Sequence, residues 1–517
     1  MTIADTAPRP TFSAPAHRAM VTVCVMVATL MQALDNTIAN VALPYMQGSF
    51  AATPDQITWV LTSYVVAAAI FTAPVGWLAA RFGRRNLIVT CLIGFTIASM
   101  LCGLATSLTQ IVAFRLMQGM FGAALVPLSQ TTMLDIYPVE QRGSAMALWG
   151  MGVMVGPILG PTLGGYLTDA FNWRYVFFVN LPFGIFAIIG LTLFMDETKR
   201  HTAMRFDWFG FAYLSIALAA LQMMLDRGEQ QDWFNSTEII IELVLSCLAF
   251  FLFAVHMATT DNPFIPPRIF RDRNYTASFF IMFSTGLILL ASAALLPPYL
   301  QNLGGYEITA TGLLMAPRGL GTMFAMMVSG RLANRMDVRW LMFLGVVLMS
   351  WSLYEMVGWT PDVNNWSMAR ITFVQGLGLG FVFTPLQVVA FATLDPELRP
   401  DGAALYNLIR NVGSAVGVSV SSWLLVQGTQ IMHARIAEGI TPFNRMLQSH
   451  GAMLFWNSGT VPGLAALNAE VTRQAAIIAY ANDFMFLFYV SLPVALLLLF
   501  LKRPPMLGKP AVIEVMD

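Results

Sequence analysis

Fourteen apolar segments, each long enough to cross a bilayer as a helix of about 20 residues, follow one another along this 517-residue chain. Apolar residues make up 57% of the chain and charged residues only 11%, too few to cover a soluble domain of this size. We therefore predict an all-α integral membrane protein. Its predicted spans are 18–43, 57–80, 87–107, 109–133, 143–167, 174–195, 207–226, 237–259, 275–301, 308–330, 340–360, 366–392, 402–427 and 478–501.

The positions of the basic residues orient these spans. Of the 28 Lys and Arg residues, nineteen lie on the side of the membrane that holds both chain termini, and four lie within spans. Only five lie on the opposite side, namely Arg174, Arg227, Arg435, Arg445 and Arg473. Because Lys and Arg accumulate on the cytoplasmic side, we expect both termini in the cytoplasm and an even number of spans.

Three short patterns recur in the same order, 254 to 260 residues apart: 76–81 with 330–335, 118–119 with 375–376, and 134–135 with 394–395. This repetition predicts two six-helix bundles separated by an insert. The predicted divisions are a cytoplasmic tail at 1–17, a first bundle at 18–200, a two-helix insert at 201–262, and a second bundle at 263–517 that includes an outer loop at 428–477. Duplicated bundles with polar groups between them are typical of alternating-access carriers.

One acid, Asp35, lies deep inside the first span, nine residues or about 13 Å of helix before Pro44. Arg115 lies about 10 Å into the fourth span, at a similar depth. Charged groups at membrane depth usually mark transport pathways, and opposite charges at one level are expected to compensate each other. We predict a proton-coupling pair, with a static structural ion pair as the alternative.

Other polar side chains within the spans are candidates for a substrate cavity, namely Gln32, Asn36, Asn40, Gln118, Arg318, Asn407 and Arg410. Arg318 lies near the predicted midplane, where a guanidinium needs a cavity, a carboxylate or an anionic substrate group. Glu355, about 8 Å from the outer end of its span, is a further candidate for proton coupling, with snorkelling to the surface as the alternative. Asp483 begins the last predicted span, where an acid also suits a helix N-terminus.

Glycines recur at every fourth residue of the fifth span, at Gly152, Gly156, Gly160 and Gly164, with Pro157 among them. Such a face lets a second helix approach with its backbone close. The predicted role of this motif is packing, and any gating role depends on that packing.

An enzyme finds little support in the sequence. The five histidines are scattered, and neither a nucleophile–base pair nor a metal-ligand spacing occurs. The net charge of zero argues against nucleic-acid binding. We expect no metal and no cofactor other than protons as the coupling ion, and the duplicated halves favour a carrier over a channel.

Several of these stretches together resemble the major facilitator superfamily, and within it the fourteen-helix drug:proton antiporter branch. They are 34–44 in the first span, 76–85 after the second, 115–119 in the fourth, 152–165 in the fifth and 173–182 at the sixth. The resemblance implies proton-coupled export of hydrophobic or amphipathic drugs across a bacterial inner membrane. It also implies a periplasmic adaptor and an outer-membrane channel as partners. A dedicated exporter of an anionic metabolite, such as a fatty acid or a siderophore, is the alternative.

The loop motif after the second span departs from the family at one position. The resemblance assigns conformational roles to Gly76, Arg81, Gly83 and Arg84. The family has an acid, which helps to hold the two halves together, where this chain has Ala80. Asp135, at the end of the fourth span, is an acid that can pair with Arg81 or Arg84 instead.

Overall fold

The computed structural model describes residues 15–138, 141–198, 206–260, 263, 265–332, 336–441, 444, 456 and 460–502. Within these residues the chain forms α-helices and short helical turns, and no β-strand. The helices are α1 (Pro15–Phe50), α2 (Pro54–Thr72), α3 (Val75–Phe82), α4 (Arg84–Leu104), α5 (Leu108–Gly122), α6 (Leu125–Ile136), α7 (Arg142–Ala170), α8 (Tyr175–Phe178), α9 (Asn180–Phe194), α10 (Trp208–Arg227), α11 (Thr237–Thr259), α12 (Arg273–Pro298), α13 (Ile308–Leu332), α14 (Val338–Val357), α15 (Asn365–Ala392), α16 (Arg399–Glu438) and α17 (Val461–Leu497).

Capping residues mark where several helices begin. Thr53 and Gln56 form a capping box at the start of α2, because each side chain accepts a hydrogen bond from the backbone amide of the other. Ser107 and Asp272 cap α5 and α12 by accepting from the amide three residues further on. These side chains satisfy backbone donors that have no partner within the first turn of a helix.

Eleven helices in the described part of the chain are long and apolar enough to cross a membrane. A twelfth span results if α2 and α3, which meet at a bend of 58° before Val75, are taken together. The helices α7 and α13 are 29 and 25 residues long but are not among these apolar spans. The structure thus confirms a multi-pass, all-helical membrane protein with eleven or twelve apolar spans, and it does not confirm the exact count of fourteen.

Both ends of the outer loop predicted at 428–477 are helical, because α16 continues to Glu438 and α17 already begins at Val461. Asp483 therefore lies in the interior of α17 and not at a helix N-terminus. Hydropathy reports where a helix crosses the membrane, and a helix with a polar continuation extends beyond that limit. Residues 442–443, 445–455 and 457–459 of the predicted loop lie outside the described residues.

The packing of α1–α9, the first helix group, is repeated in α12–α17, the second helix group. In the first group, α1 packs against α7 and α9, α5 packs against α2 and α4, and α4 packs against α9. In the second group, α12 packs against α16 and α17, α15 packs against α13 and α14, and α14 packs against α17. The helices α10 and α11 pack against each other, and α10 contacts both α2 and α16.

The two helix groups meet near the end of the bundle at which the described chain begins and ends, here called the terminal face. There α7 packs against α13, and α3 and α6 pack against α16. The contact between α7 and α13 is close: a Cβ atom on Gly330 would lie 2.9 Å from the carbonyl oxygen of Gly143. Gly143 is the second residue of α7, and Gly330 lies in the last turn of α13.

Candidate functional site

The side chain of Asp35 in α1 is fully buried and surrounded by N–H donors. Nη1 of Arg115 donates to its Oδ2 atom over 2.6 Å. Nε2 of Gln118 and Nδ2 of Asn180 both donate to Oδ1, over 2.8 Å and 3.0 Å. An ionised carboxylate only accepts hydrogen bonds. The arrangement therefore matches a negatively charged Asp35 in a buried ion pair with Arg115.

Arg115, which is 1% exposed, has further partners besides the carboxylate. Its Nε atom donates to the carbonyl oxygen of Val60 over 3.1 Å, and Nη1 also donates to Oε1 of Gln118 over 2.8 Å. The guanidinium carbon lies 4.2 Å from the centre of the Tyr64 ring, within the range of a cation–π interaction. Burial of a charge is costly unless it is paired and hydrogen-bonded, and these contacts meet that requirement on several sides.

Asn180 is a member of this site that sequence reasoning missed. It is the first residue of α9, it is fully buried, and it connects α9 to two other helices. Its Nδ2 atom donates to Asp35 in α1 and, over 3.0 Å, to Oγ of Ser99 in α4. The available signal was an amide side chain within the apolar stretch 174–195, since buried polar groups require partners.

The predicted cavity residues of α1 have different positions. Gln32 is half-buried and its Nε2 atom donates to the Tyr64 hydroxyl over 3.3 Å, so it adjoins the site around Arg115. Asn40 is exposed, and the side chain of Asn36 lies outside the described part of the chain. Tyr64 itself was missed by sequence reasoning, although it is 1% exposed at the middle of α2.

The two predicted arginines of the second helix group have neutral partners. Arg318 is 8% exposed, and its Nη2 atom donates over 2.9 Å to both the carbonyl oxygen of Leu289 and Oγ of Ser292. Among the described residues no carboxylate pairs with Arg318. Arg410 is half-buried and donates to the side chain of Asn411 over 3.4 Å. The structure therefore does not bring either arginine to Asp35.

Glu355 also lies away from Asp35. It is half-buried in α14, which packs against α15 and α17. Because α14 ends at Val357, Glu355 is about 3 Å of helix from that end. The depth of about 8 Å expected from the sequence is therefore wrong, because the helix ends earlier than the predicted span.

The glycine face of α7 lies against the part of α1 that carries Asp35. A Cβ atom on Gly156 would lie 2.7 Å from the carbonyl carbon of Ala33 and 2.8 Å from the amide nitrogen of Leu34. Gly152, Gly160 and Gly164 face Met26, Thr37 and Ile38 of α1. The side chain of Pro157 lies outside the described part of the chain. The position of Asp35 is therefore coupled by direct backbone packing to that of α7.

Asp135 connects the two helix groups at the terminal face. It forms an ion pair with Arg84, which begins α4, and its other oxygen lies 3.9 Å from Nη1 of Arg399 in α16. Arg84, and not Arg81, is thus the loop-motif residue that pairs with Asp135; Arg81 is half-buried, without an ion-pair partner among the described residues. Asp135 on α6 is thus an acid that pairs with the loop motif and approaches the second helix group, in a chain that has Ala80 within that motif.

Two glycines of the loop motif fit their positions for steric reasons. Gly83 joins α3 to α4 with a φ angle of +88°, a conformation that residues with a Cβ atom rarely adopt. At Gly76 a Cβ atom would lie 2.9 Å from the Cα atom of Asp401 and would collide with its carboxylate. Gly76 thus allows α3 to approach the first turn of α16.

Two similar groups of helices that meet over one end, with a buried ion pair inside the first group, define a membrane transporter and not an enzyme. A family model for the Major Facilitator Superfamily matches residues 25–418. The chain belongs to this superfamily.

Its relatives align over nearly the whole chain. It is 34% identical over 499 residues to multidrug export protein EmrB of Escherichia coli K12, covering 95% of this chain and 96% of that protein. It is 35% identical over 497 residues to fatty acid resistance protein FarB of Neisseria gonorrhoeae, covering 94% and 96%. EmrB of Haemophilus influenzae is 34% identical over 490 residues, covering 94% and 96%.

Solved structures share the fold at low sequence identity. The human organic anion transporter MFSD10 superposes with a TM-score of 0.58 at 16% identity, covering 92% of this chain and 99% of that one. A bacterial homolog of the human lysosomal transporter Spinster superposes with a TM-score of 0.55 at 18% identity, covering 95% and 100%.

Proposed function

We propose that this protein is a drug:proton antiporter that exports hydrophobic and amphipathic compounds. The observation that carries the proposal is the fully buried Asp35, whose carboxylate accepts hydrogen bonds from Arg115, Gln118 and Asn180 inside a membrane transporter. An acid in this position can take up and release a proton as its surroundings change. The names of the EmrB relatives, which are multidrug export proteins, favour drugs as the substrates.

The topology that we propose has fourteen spans, because α7 and α13 also cross the membrane although they are less apolar than the other spans. They are 29 and 25 residues long, and both lie between the two helix groups, where small and polar side chains reduce hydropathy. From an even number of spans and the excess of basic residues on the terminal face, we infer that this face lies in the cytoplasm of a bacterial cell. The membrane is then the inner membrane, and no cofactor other than protons is required.

In the proposed mechanism the proton acts on the position of α1. Protonation of Asp35 removes the charge that binds Arg115 and converts one carboxylate oxygen into a donor. Arg115 donates to Oδ2, and Gln118 and Asn180 donate to Oδ1. A proton on either oxygen therefore faces another donor, the neutral side chain no longer matches its surroundings, and α1 shifts. The helix α7 transmits this shift, since it packs against α1 through its glycines and against α13 of the second helix group.

The proposed orientation assigns this structure to an outward-facing state. The groups are in contact at the terminal face, through α7 with α13 and through Asp135 with Arg399. If this face is cytoplasmic, the exit toward the cytoplasm is closed, and Asp35 receives its proton from outside. Substrate taken up in the opposite state then leaves as the proton enters.

We further propose that α16 and α17 dock a periplasmic adaptor of the EmrA type, which leads to an outer-membrane channel of the TolC type. These helices have 40 and 37 residues, or about 60 and 55 Å, against a hydrocarbon core of about 30 Å. Their far ends lie beside each other, because the side chains of His433 and Asn468 are hydrogen-bonded over 3.1 Å. The pair therefore extends beyond the membrane on the side opposite the terminal face.

Drug-dependent proton movement in proteoliposomes tests the proposed function. In the wild type, we expect an imposed pH gradient to drive uptake of a fluorescent drug, and drug addition to release protons. Asp35→Asn retains the size of the side chain but cannot be protonated, and it should abolish both signals while leaving drug binding measurable. Asp362→Asn, an exposed acid between α14 and α15, is the matched control. Exchange of drug for protons that is still driven by a pH gradient in Asp35→Asn would contradict the proposal.

The alternative, a dedicated exporter of an anionic metabolite, is favoured by two observations. Arg318 is a buried cation whose guanidinium contacts neutral groups, and FarB is named for fatty acid resistance. Efflux of cationic dyes and of anionic uncouplers, compared in Arg318→Ala and wild-type cells, separates the two functions. Selective loss of anion efflux supports the alternative, and equal weakening of both classes rejects it.

A further inference from the structure

A second buried acid, Asp483, lies in the middle of α17 and has no part in the site around Asp35. Its side chain is fully buried, and neither carboxylate oxygen has a hydrogen-bond partner among the described residues. An ionised carboxylate in such surroundings is very costly, whereas a neutral carboxylic acid is tolerated far better. In this arrangement Asp483 is therefore accommodated only in its protonated form.

The groups around Asp483 also have unused hydrogen-bonding capacity. Tyr480, one turn earlier in α17, stacks edge-on against Tyr299 with ring centres 5.3 Å apart. Phe484 contacts both Tyr299 and Trp359, each with ring centres 6.3 Å apart. The hydroxyl of Tyr299 and Nε1 of Trp359 are buried and have no hydrogen-bond partner in the part of the chain that the structure describes. The helical turn that carries Asp483 therefore packs, through Tyr480 and Phe484, against an aromatic cluster with two unpaired buried donors. This is unusual because buried polar groups are normally paired.

The helix that carries Asp483 packs within the second helix group as the helix that carries Asn180 packs within the first. The helix α17 packs against α12 and α14 as α9 packs against α1 and α4. The sequence repeat also relates Gln118, which binds Asp35, to Gln375. The two side-chain polar atoms of Gln375 are buried and have no hydrogen-bond partner within the described segments. The second group thus also has buried polar side chains on the two helices that correspond to α5 and α9, with its acid on the last helix and not on the first.

We propose that Asp483 is a second proton-carrying residue of the transport cycle, loaded with its proton in this conformation. This inference rests on the proposed function, which it deepens by assigning a second proton. When α17 moves against α12 and α14, water reaches the cluster and the O–H bond of the carboxyl breaks. The proton passes to water, and the electron pair remains on the carboxylate, which then accepts hydrogen bonds from the free donors of Tyr299 and Trp359.

Charged and titratable groups lie on several of the elements around this acid. Tyr480 of α17 and Tyr299, directly after α12, belong to the cluster, and Asp362 and Tyr306 interact electrostatically with Tyr299. From α14 the nearest acid is Glu355, in its last turn. The helix α16 approaches α17 at Gly428, where a Cβ atom would lie 3.2 Å from the side chain of Ala479. The arginines of α16 nearest to this contact along the chain are Arg410 and Arg435. None of these groups forms an ion pair with Asp483.

Infrared difference spectroscopy of the full-length protein in nanodiscs tests the proposal directly. A dry protonated carboxyl gives a carbonyl stretching band at high frequency. We expect this band at neutral pH in the wild type, in Asp35→Asn and in the control Asp362→Asn, and we expect it to disappear in Asp483→Asn. An unchanged band in Asp483→Asn overturns the proposal. If that variant does not fold, Asp483→Glu decides: a displaced band supports the assignment, and an unmoved band overturns it.

Transport stoichiometry separates this inference from the proposed function. In proteoliposomes we expect Asp483→Asn to retain drug transport but to move one proton fewer per drug molecule than the wild type. A stoichiometry equal to that of the wild type overturns the second proton while leaving the antiport mechanism in place. If instead the wild type shows no proton coupling at all, the proposed function fails, and with it the role of Asp483 in transport.

Discussion

Asn407 of α16 donates a hydrogen bond of 2.9 Å to the side chain of Gln130 in α6, and this bond joins the two helix groups. Both side chains are buried, at 3% and 0% exposure, and Asn407 also donates to the carbonyl oxygen of Ala403 over 2.8 Å. The sequence predicted Asn407 as a cavity residue. In this conformation its amide instead connects the groups near the terminal face, so the bond stabilises the state in which that face is closed.

Asn407→Ala should therefore shift the protein away from this state. Loss of one buried hydrogen bond between the groups costs about 1 kcal/mol, or about a fivefold change in the ratio of the two states. Spin labels at the exposed positions Phe82 and Glu397, in a Cys247→Ser background, report the separation across the terminal face. We expect a larger population of long distances in the variant.

Ser414→Ala is the matched control for this experiment, because the hydroxyl of Ser414 donates within the second helix group, to the carbonyl oxygen of Gly286 over 3.1 Å. It should leave the distance distribution unchanged. If Asn407→Ala and Ser414→Ala give the same distribution, the bond to Gln130 does not contribute to closure.

The ion pair of Asp135 with Arg399 should contribute to the same closure, but weakly. Asp135 is 40% exposed at its side chain, and exposed ion pairs contribute about 0.2–1 kcal/mol. A double-mutant cycle with Asp135→Asn and Arg399→Gln, read by the same label distances, isolates the coupling between the two residues. Additive effects of the two substitutions would show that this ion pair does not hold the groups together.

The sequence predicted the Asp35–Arg115 pair because both residues are charged and lie at similar depth in apolar stretches. It did not predict Asn180 as their partner, since that contact depends on how α9 lies against α1, which no local pattern encodes. It placed Asp483 at a helix start because the polar residues before 478 ended the apolar run. The helix itself begins at Val461, because a helix that leaves the membrane can continue with polar residues.

The repeated motifs predicted two related halves, and the packing of α12–α17 does repeat that of α1–α9. The sequence did not determine the partner of Arg318, since a carboxylate, a cavity and an anion were all compatible with it. In the structure Arg318 donates to a carbonyl oxygen and a hydroxyl of α12. Which neutral atoms approach a buried cation depends on the register of two packed helices, and apolar periodicity does not determine that register.

Arg115→Lys should abolish proton coupling although it preserves the charge. The guanidinium of Arg115 binds the carbonyl oxygen of Val60, the carboxylate of Asp35 and the amide oxygen of Gln118 at once. A lysine is a compact charge without this planar arrangement of donors, so at least one buried acceptor loses its partner, at a cost of about 1–3 kcal/mol. Drug-dependent proton release in proteoliposomes measures the effect.

Arg370→Lys provides the comparison, because Arg370 is exposed in α15 and should tolerate the exchange with wild-type coupling. Proton release by Arg115→Lys at the wild-type level would show that charge alone is sufficient at this position.

Substitution of the glycines of α7 tests whether close packing against α1 controls the position of Asp35. A Cβ atom on Gly156 would lie 2.7 Å from the backbone of Ala33, whereas nothing lies within 4 Å of one on Gly165 in the same helix. Both Gly→Ala changes favour the helix by about 0.5–1 kcal/mol. Only Gly156→Ala also forces α1 and α7 apart, at a cost of about 1–3 kcal/mol.

We therefore expect Gly165→Ala to keep or slightly raise the thermal unfolding temperature in detergent, with normal transport. Gly156→Ala should lower that temperature and reduce drug-dependent proton release, because displacement of Ala33 and Leu34 moves Asp35, the next residue, away from Arg115. The two readouts together distinguish the causes. Reduced stability with intact proton release would mean that the site tolerates a shift of α1, and the transmission from Asp35 through α7 to α13 would then need another route.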